Sequence, residues 1–224
     1  MAHIAFPQYC KSFKTPSSSS TYSYVRIPSA SSKPTILFLH GFPSSSYDWR
    51  HQISHFSSLG YGVLVPDLLG YGGTDKPTSP ADYKGKKMAT EVIEILDHEK
   101  LDKVHAVGHD FGSHLLSQIV NYSPSRLQSC TFIVVPYAPP GQRFDLDAVK
   151  EISEKVLGFE KFGYMRFLSR EDSPEILNAH VCDVSIHFLP EVPFPSAKVG
   201  PTHPLPPKVS PLLPLSIYDP PARP

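Results

Sequence analysis

The sequence predicts an α/β protein on a mostly parallel sheet, with about six core strands, a partial layer of added helices and a proline-rich end. Three observations carry this. Short apolar runs that suit strands buried on both faces alternate with helical patterns from residue 35 to residue 136. The alternation then stops, and amphipathic helical segments follow. Past residue 188 the composition changes regime, with 12 of the 25 prolines in the last 36 residues.

In chain order, TYSYVRIPSA (21–30) reads as an early strand between serine-rich turns. TILFL (35–39) is a first buried strand, bounded by Pro34 and His40-Gly41. Trp49, Ile53 and Phe56 repeat at helical spacing, and Gly60 can close that helix. YGVLVPD (61–67) is a second buried strand, followed by the glycine-rich LLGYGGTDKP. Residues 87–100 place Met88, Val92, Ile95 and Leu96 on one helical face. KVHAVG (103–108) is a third buried strand, SHLLSQIVNY (113–122) a helix, and SCTFIVVP (129–136) a fourth buried strand. Residues 147–157 form an amphipathic helix with Val149, Ile152 and Val156 on one face, ended by Gly158. Ser173-Pro174 reads as a helix start, with Ser as cap and Pro in the first turn. The expected divisions are a core at 1–136, a partial helical cap at 137–188 and a disordered proline-rich tail at 189–224, where prolines exclude helix and central strand.

Composition removes several function classes. The 21 basic and 21 acidic residues balance, so nothing favours nucleic acid or an acidic membrane surface. No apolar run approaches the ~20 residues of a membrane span. The first residues, MAHIAFPQYCKSF, lack the apolar core of a signal peptide. Cys10, Cys130 and Cys182 are odd in number and form no metal or redox motif, which suits a reduced, cytoplasmic chain. No metal or organic cofactor is expected.

The chemistry centres on VHAVGHDFGSHLL (104–116). Small-x-nucleophile-x-small between a buried strand and a helix is a nucleophile elbow. Gly108 and Gly112 leave room for the strand and helix to approach. The side chain between them, Asp110, is thrust above the carboxyl edge of the sheet, where open α/β sheets bind ligands. A carboxylate needs no base to activate it and attacks an electrophilic carbon to give an ester. The competing structural role for Asp110 is a helix N-cap. His40-Gly41-Phe42-Pro43 follows the first buried strand, and its Phe42 amide can join the Phe111 amide as an oxyanion hole. The loop from Asp67 to Gly72 reads as structural.

Together, HGFPSSSYDWR, YGVLVPDLLGYGGTDKP, GHDFG and EKFGYMRFLS resemble the α/β-hydrolase superfamily, in its epoxide hydrolase and haloalkane dehalogenase branch. The resemblance runs from about residue 21 to about residue 182. It implies an eight-stranded sheet under a helical cap, attack by Asp110 on a small-molecule epoxide, and hydrolysis of the resulting ester by water that a His–acid pair activates. Phe111 and Phe42 stand where dehalogenases of this branch usually carry Trp and often Asn, which favours epoxide opening. Tyr164 matches a cap tyrosine that hydrogen-bonds the epoxide oxygen. The look of the chain is fungal, and some fungal relatives serve secondary metabolism.

The same resemblance exposes departures. The His and acid normally follow later strands, which the proline tail replaces. Val134-Val135-Pro136-Tyr137 offers no carboxylate, and His180, His187 and His203 follow no buried strand. A truncated chain impaired in turnover is therefore expected. The strand at 129–136 would be an open apolar edge. A dimer or the tail would have to cover it, or the chain is not stably folded. Two other functions stay open: an inactive remnant or proline-rich binding module, since the tail holds PxxP segments, and an esterase or dehalogenase on the same scaffold.

Overall fold

The computed structural model describes residues 2–30, 32–142 and 144–179 of the 224. They form two compact units, residues 2–142 and residues 144–179. The expected tail, with Cys182 and the three late histidines, lies outside the described residues.

The first unit opens with the short helix α1 (Ala2–Ala5) and strands β1 (Cys10–Lys14) and β2 (Thr21–Ile27). Then come β3 (Thr35–Leu39), α2 (Arg50–Ser58), β4 (Gly62–Pro66), α3 (Gly85–His98), β5 (Val104–His109), α4 (Phe111–Tyr122) and β6 (Leu127–Ile133). The six strands make one sheet in the order β1-β2-β4-β3-β5-β6. β1 and β2 run antiparallel to the rest, and β4, β3, β5 and β6 are mutually parallel. The strand β1 has no counterpart in the sequence reading, because CKSFK shows only half an alternation and neither face of it is fully buried.

Every residue of β3 and β4 is buried, which is why both read as unbroken apolar runs. On one face, Ile53 of α2 and Trp49 pack with Val25, Phe38, Val63 and Val65. The α3 face expected from spacing, Met88, Val92, Ile95 and Leu96, is buried, as are Leu115, Leu116 and Ile119 of α4. The strand at 129–136 needs correction. It starts and ends earlier, and four of its seven residues are exposed, because β6 is the outermost strand among the described residues. Val134, 74% exposed with φ of 73°, turns the chain out of the ladder.

The second unit holds α5 (Leu146–Leu157), α6 (Gly163–Leu168) and α7 (Ser173–Ala179). Asp145 caps α5 by accepting from the amides of Asp147 and Ala148, and Gly158 ends it with φ of 79°. The apolar face of α5 is not covered: Ile152 is 63% and Val156 72% exposed. Ser173 is not the expected cap. Its hydroxyl donates backwards to the carbonyls of Leu168 and Arg170, tying α6 to the start of α7.

One buried acid makes the core sensitive to pH. Glu91 of α3 is fully buried and accepts from the Tyr22 hydroxyl at 2.6 Å. Burial pushes its pKa up, and the Ser18 and Tyr22 hydroxyls and Lys87 offset this only in part. A carboxyl whose pKa rises on folding binds its proton more tightly folded than unfolded. Its contribution to stability is complete below the ordinary carboxylate range and is lost as pH climbs through the raised value. Glu91→Gln is therefore expected to melt above the parent at pH 8, with the gain shrinking towards pH 4. Thermal melts across that range check it, and parallel curves would contradict it.

Candidate active site

The chain order places the site. From β3 the chain passes through α2 to β4 on one side, then through α3 to β5 on the other side of β3. Such a reversal leaves a crevice at the carboxyl ends of the strands where it happens. The loops after β3, β4 and β5 all open there. A shallow recess at the opposite end of β5, lined by Asp97, Lys100, Leu101, Asp102 and Arg126, is spanned by Arg126, which pairs with Asp97 and donates to the carbonyls of Leu101 and Asp102.

Asp110 stands between β5 and α4 with φ of 52° and ψ of −116°, a conformation that costs a non-glycine residue on the order of 1–3 kcal/mol. Neighbouring backbone holds it there. Its amide donates to the Ile133 carbonyl of β6 at 3.0 Å, and its carbonyl accepts from Ser113 at 2.9 Å. The glycines explain how the elements come so close. A Cβ on Gly112 would lie 2.2 Å from the Leu39 carbonyl oxygen, and one on Gly108 would lie 2.6 Å from the Gly112 oxygen.

The Asp110 carboxylate makes no capping bond to α4. Its Oδ1 accepts from the Phe42 amide of the neighbouring loop at 3.0 Å. The same loop lies directly on the elbow, since a Cβ on Gly41 would sit 2.7 Å from the Asp110 Cβ. Phe111 opens α4, so its amide belongs to the helix's first turn. Three of the residues singled out from sequence, Asp110, Phe42 and Phe111, thus share one corner of the first unit.

His40 fixes the loop that carries Phe42. It is fully buried, its Nε2 accepts from the Leu68 amide at 3.0 Å, and its Nδ1 donates to the Gly41 carbonyl at 2.9 Å. Those bonds define a neutral ring protonated at Nδ1, and burial lowers its pKa. Asp67 is equally occupied: it accepts from the Ser46 amide and hydroxyl and from the Gly73 amide. Both side chains are structural, as their loops suggest. Among the described residues no histidine is bonded to a carboxylate. Tyr71 belongs to the loop after β4, which the sequence reads as structural. Its ring stands edge-on to His40 at 5.1 Å, and nothing distinguishes it in sequence from a packing aromatic.

Tyr164 lies in the second unit, on the first turn of α6. Its ring meets Phe162 edge-on at 6.2 Å, and Phe162 in turn meets Phe144 at 5.7 Å. Arg166 braces the same helix by pairing with Glu160 and Asp147.

The described residues hold no cluster of His, Cys, Asp and Glu suited to a metal, and no helix long and apolar enough to cross a membrane.

Residues 34–156, more than half the chain, match the family model of the alpha/beta hydrolase fold. The chain therefore belongs to the α/β-hydrolase family. Within it, the similarity runs to the epoxide hydrolase branch. The chain is 37% identical over 115 residues to epoxide hydrolase 3 of Siraitia grosvenorii, a match covering 51% of this chain and 36% of that protein. It is 32% identical over 170 residues to epoxide hydrolase srdG of Neurospora crassa, covering 73% of this chain and 48% of that one. A solved mutant of the Vigna radiata epoxide hydrolase, M263Q, superposes with a TM-score of 0.64 at 28% identity, over 77% of this chain and 51% of that one. The chain thus spans between about a third and a half of these relatives' lengths.

Proposed function

We propose that this chain opens epoxides by nucleophilic attack of Asp110. The observation that supports this most is the carboxylate itself: without a capping bond to α4, held at Oδ1 by the Phe42 amide, on a strained backbone with φ of 52° and ψ of −116°. The bond to Phe42 leaves Oδ2 to attack an epoxide carbon. The carbon–oxygen bond breaks with its electron pair left on the ring oxygen, which takes a proton from Tyr164, replaced from water, to become a hydroxyl, and a hydroxyalkyl ester forms on Asp110. In this reading residues 137–188 are a cap whose Tyr164 hydrogen-bonds the ring oxygen, a role suited to a neutral phenol. The amides of Phe42 and Phe111 hold the ester oxygen when water attacks.

That second step needs a base. With no described histidine bonded to a carboxylate, ester release from this 224-residue chain is proposed to be slow. Chromatography of an aryl epoxide and its diol tests this: consumption should stop near one equivalent per chain. Steady release of many equivalents would contradict the stalled ester.

The same reading takes a second copy of the chain as cover for the exposed edge of β6. Light scattering should then return about 50 kDa, twice the 24.8 kDa of one chain. A mass of one chain at all concentrations would rule the dimer out. A cytoplasmic location suits the free thiols of Cys10 and Cys130. A fungal source suits the likeness to the Neurospora crassa epoxide hydrolase, and a role in secondary metabolism is proposed on the look of the sequence alone.

A further inference from the structure

The strand β6, LQSCTFI, is outermost in the sheet among the described residues, so one of its edges presents backbone donors and acceptors with no strand beside them. Ile133 fixes which residues these are. Its carbonyl accepts from the Asp110 amide at 3.0 Å, and its amide donates to the Ser113 hydroxyl at 3.3 Å, so both point inward, towards β5 and α4. In a strand the amide and carbonyl of one residue point the same way, and those of the next residue point the opposite way. Thr131 and Ser129 therefore face β5 as Ile133 does, while Phe132 and Cys130 turn their groups out of the sheet. Gln128 is passed over by the ladder, which is irregular between Val104 and His105.

Exposed edges are commonly blunted by charged residues or proline, and LQSCTFI carries neither. Its letters also fit a reversed copy of themselves. Laid antiparallel about Cys130, the middle residue, Ser129 meets Thr131 of the second copy, Leu127 meets Ile133, Gln128 meets Phe132 and Cys130 meets Cys130. Hydroxyl then lies beside hydroxyl and aliphatic beside aliphatic, which are stabilising cross-strand neighbours. The outward groups coincide as well, since Cys130 faces Cys130 and Phe132 faces the passed-over Gln128. A register centred on Ser129 would leave Phe132 and Ile133 beyond the end of the opposing strand.

We propose that two copies of this chain join their β6 strands antiparallel, centred on Cys130, to make one continuous sheet. The contact is isologous, as two-fold dimers require. The proposal rests on the reading that a second copy covers the β6 edge and does not depend on the role of Asp110. Its geometry is specific. Opposed residues that exchange both bonds stand about 5.5 Å apart between Cα atoms, within the roughly 4.4–6.8 Å that a disulfide spans. Ser129 and its own copy stand diagonally, about 7–8 Å apart, beyond that span.

Disulfide trapping in the full chain, with light scattering on each variant, tests this. Cys10→Ser and Cys182→Ser together leave Cys130 as the one thiol. Diamide is the oxidant and takes two electrons and two protons from each pair of thiols as the bond forms. At micromolar chain this protein should link on the order of a hundredfold faster than one whose single thiol is Cys10, because paired thiols need not meet by diffusion. With Cys130→Ser added, Ser129→Cys and Thr131→Cys should each fail to link alone at that rate, and a mixture of the two should link to each other. Dimer mass with Cys130 linking no faster than Cys10, or with Ser129→Cys linking to itself, overturns this register and leaves the dimer standing. A mass of one chain defeats the dimer reading and the register with it.

Discussion

Asp110→Asn is expected to abolish epoxide consumption, a loss on the order of 10⁴-fold or more. The substitution changes almost nothing else. Asparagine has the same shape, and its amide oxygen can still accept from Phe42, as Oδ1 does at 3.0 Å. The backbone bonds that hold the elbow, to Ile133 and Ser113, do not involve the side chain. The variant should therefore melt close to the parent. What it loses is the negative charge that forms the bond to carbon. If Asp110 were only a helix cap, asparagine would serve as well, since the two are equivalent at that position. Retained consumption with an unchanged melt would point that way, although the carboxylate makes no capping bond.

Gly112→Ala is expected to have the largest effect on stability, roughly 3 kcal/mol or more, and to take the site with it. The added methyl would meet the Leu39 carbonyl oxygen at 2.2 Å and carbon at 2.5 Å, and the His40 carbonyl oxygen at 2.6 Å. These are backbone atoms at the end of β3, a strand buried along its whole length, so they cannot swing aside. Relief requires α4 to move off the sheet. That would disturb the elbow and pull the Phe42 loop from Asp110. Gly163→Ala is the control. Its nearest neighbour is the flexible Glu160 side chain at 3.5 Å, and the expected change stays within about 0.5 kcal/mol. Urea unfolding curves measure both. A Gly112→Ala chain as stable as the parent would mean that the close crossing of β3 and α4 does not exist.

The sheet was legible because its inner strands are buried on both faces, and such strands must be apolar throughout, as TILFL is. The sharp turn was legible because two glycines set about one residue, between a buried strand and a helix, mark a close strand–helix approach, and Gly108 and Gly112 stand at that approach. Two things were not legible. The outer strand β6, LQSCTFI, reads too far towards its apolar end: Val134 and Val135 extend the apolar run in sequence but lie past the ladder, and three of its four exposed residues are the polar Gln128, Ser129 and Thr131. Tyr71 reads as one aromatic in a glycine-rich loop, and its unpaired hydroxyl emerges only when the loops after β3 and β4 are side by side. Ser173 shows a third kind of limit. Ser-Pro fits a cap by local rules, yet the hydroxyl finds carbonyls of the preceding turn instead.

Peptide mapping of the chain after reaction with an aryl epoxide is the most direct measurement of the role given to Asp110. One equivalent of adduct is expected, carried as an ester on the peptide that contains GHDFG and located at Asp110 by fragmentation. An adduct on a cysteine or histidine instead, or none at all from a chain that melts cooperatively, would contradict it.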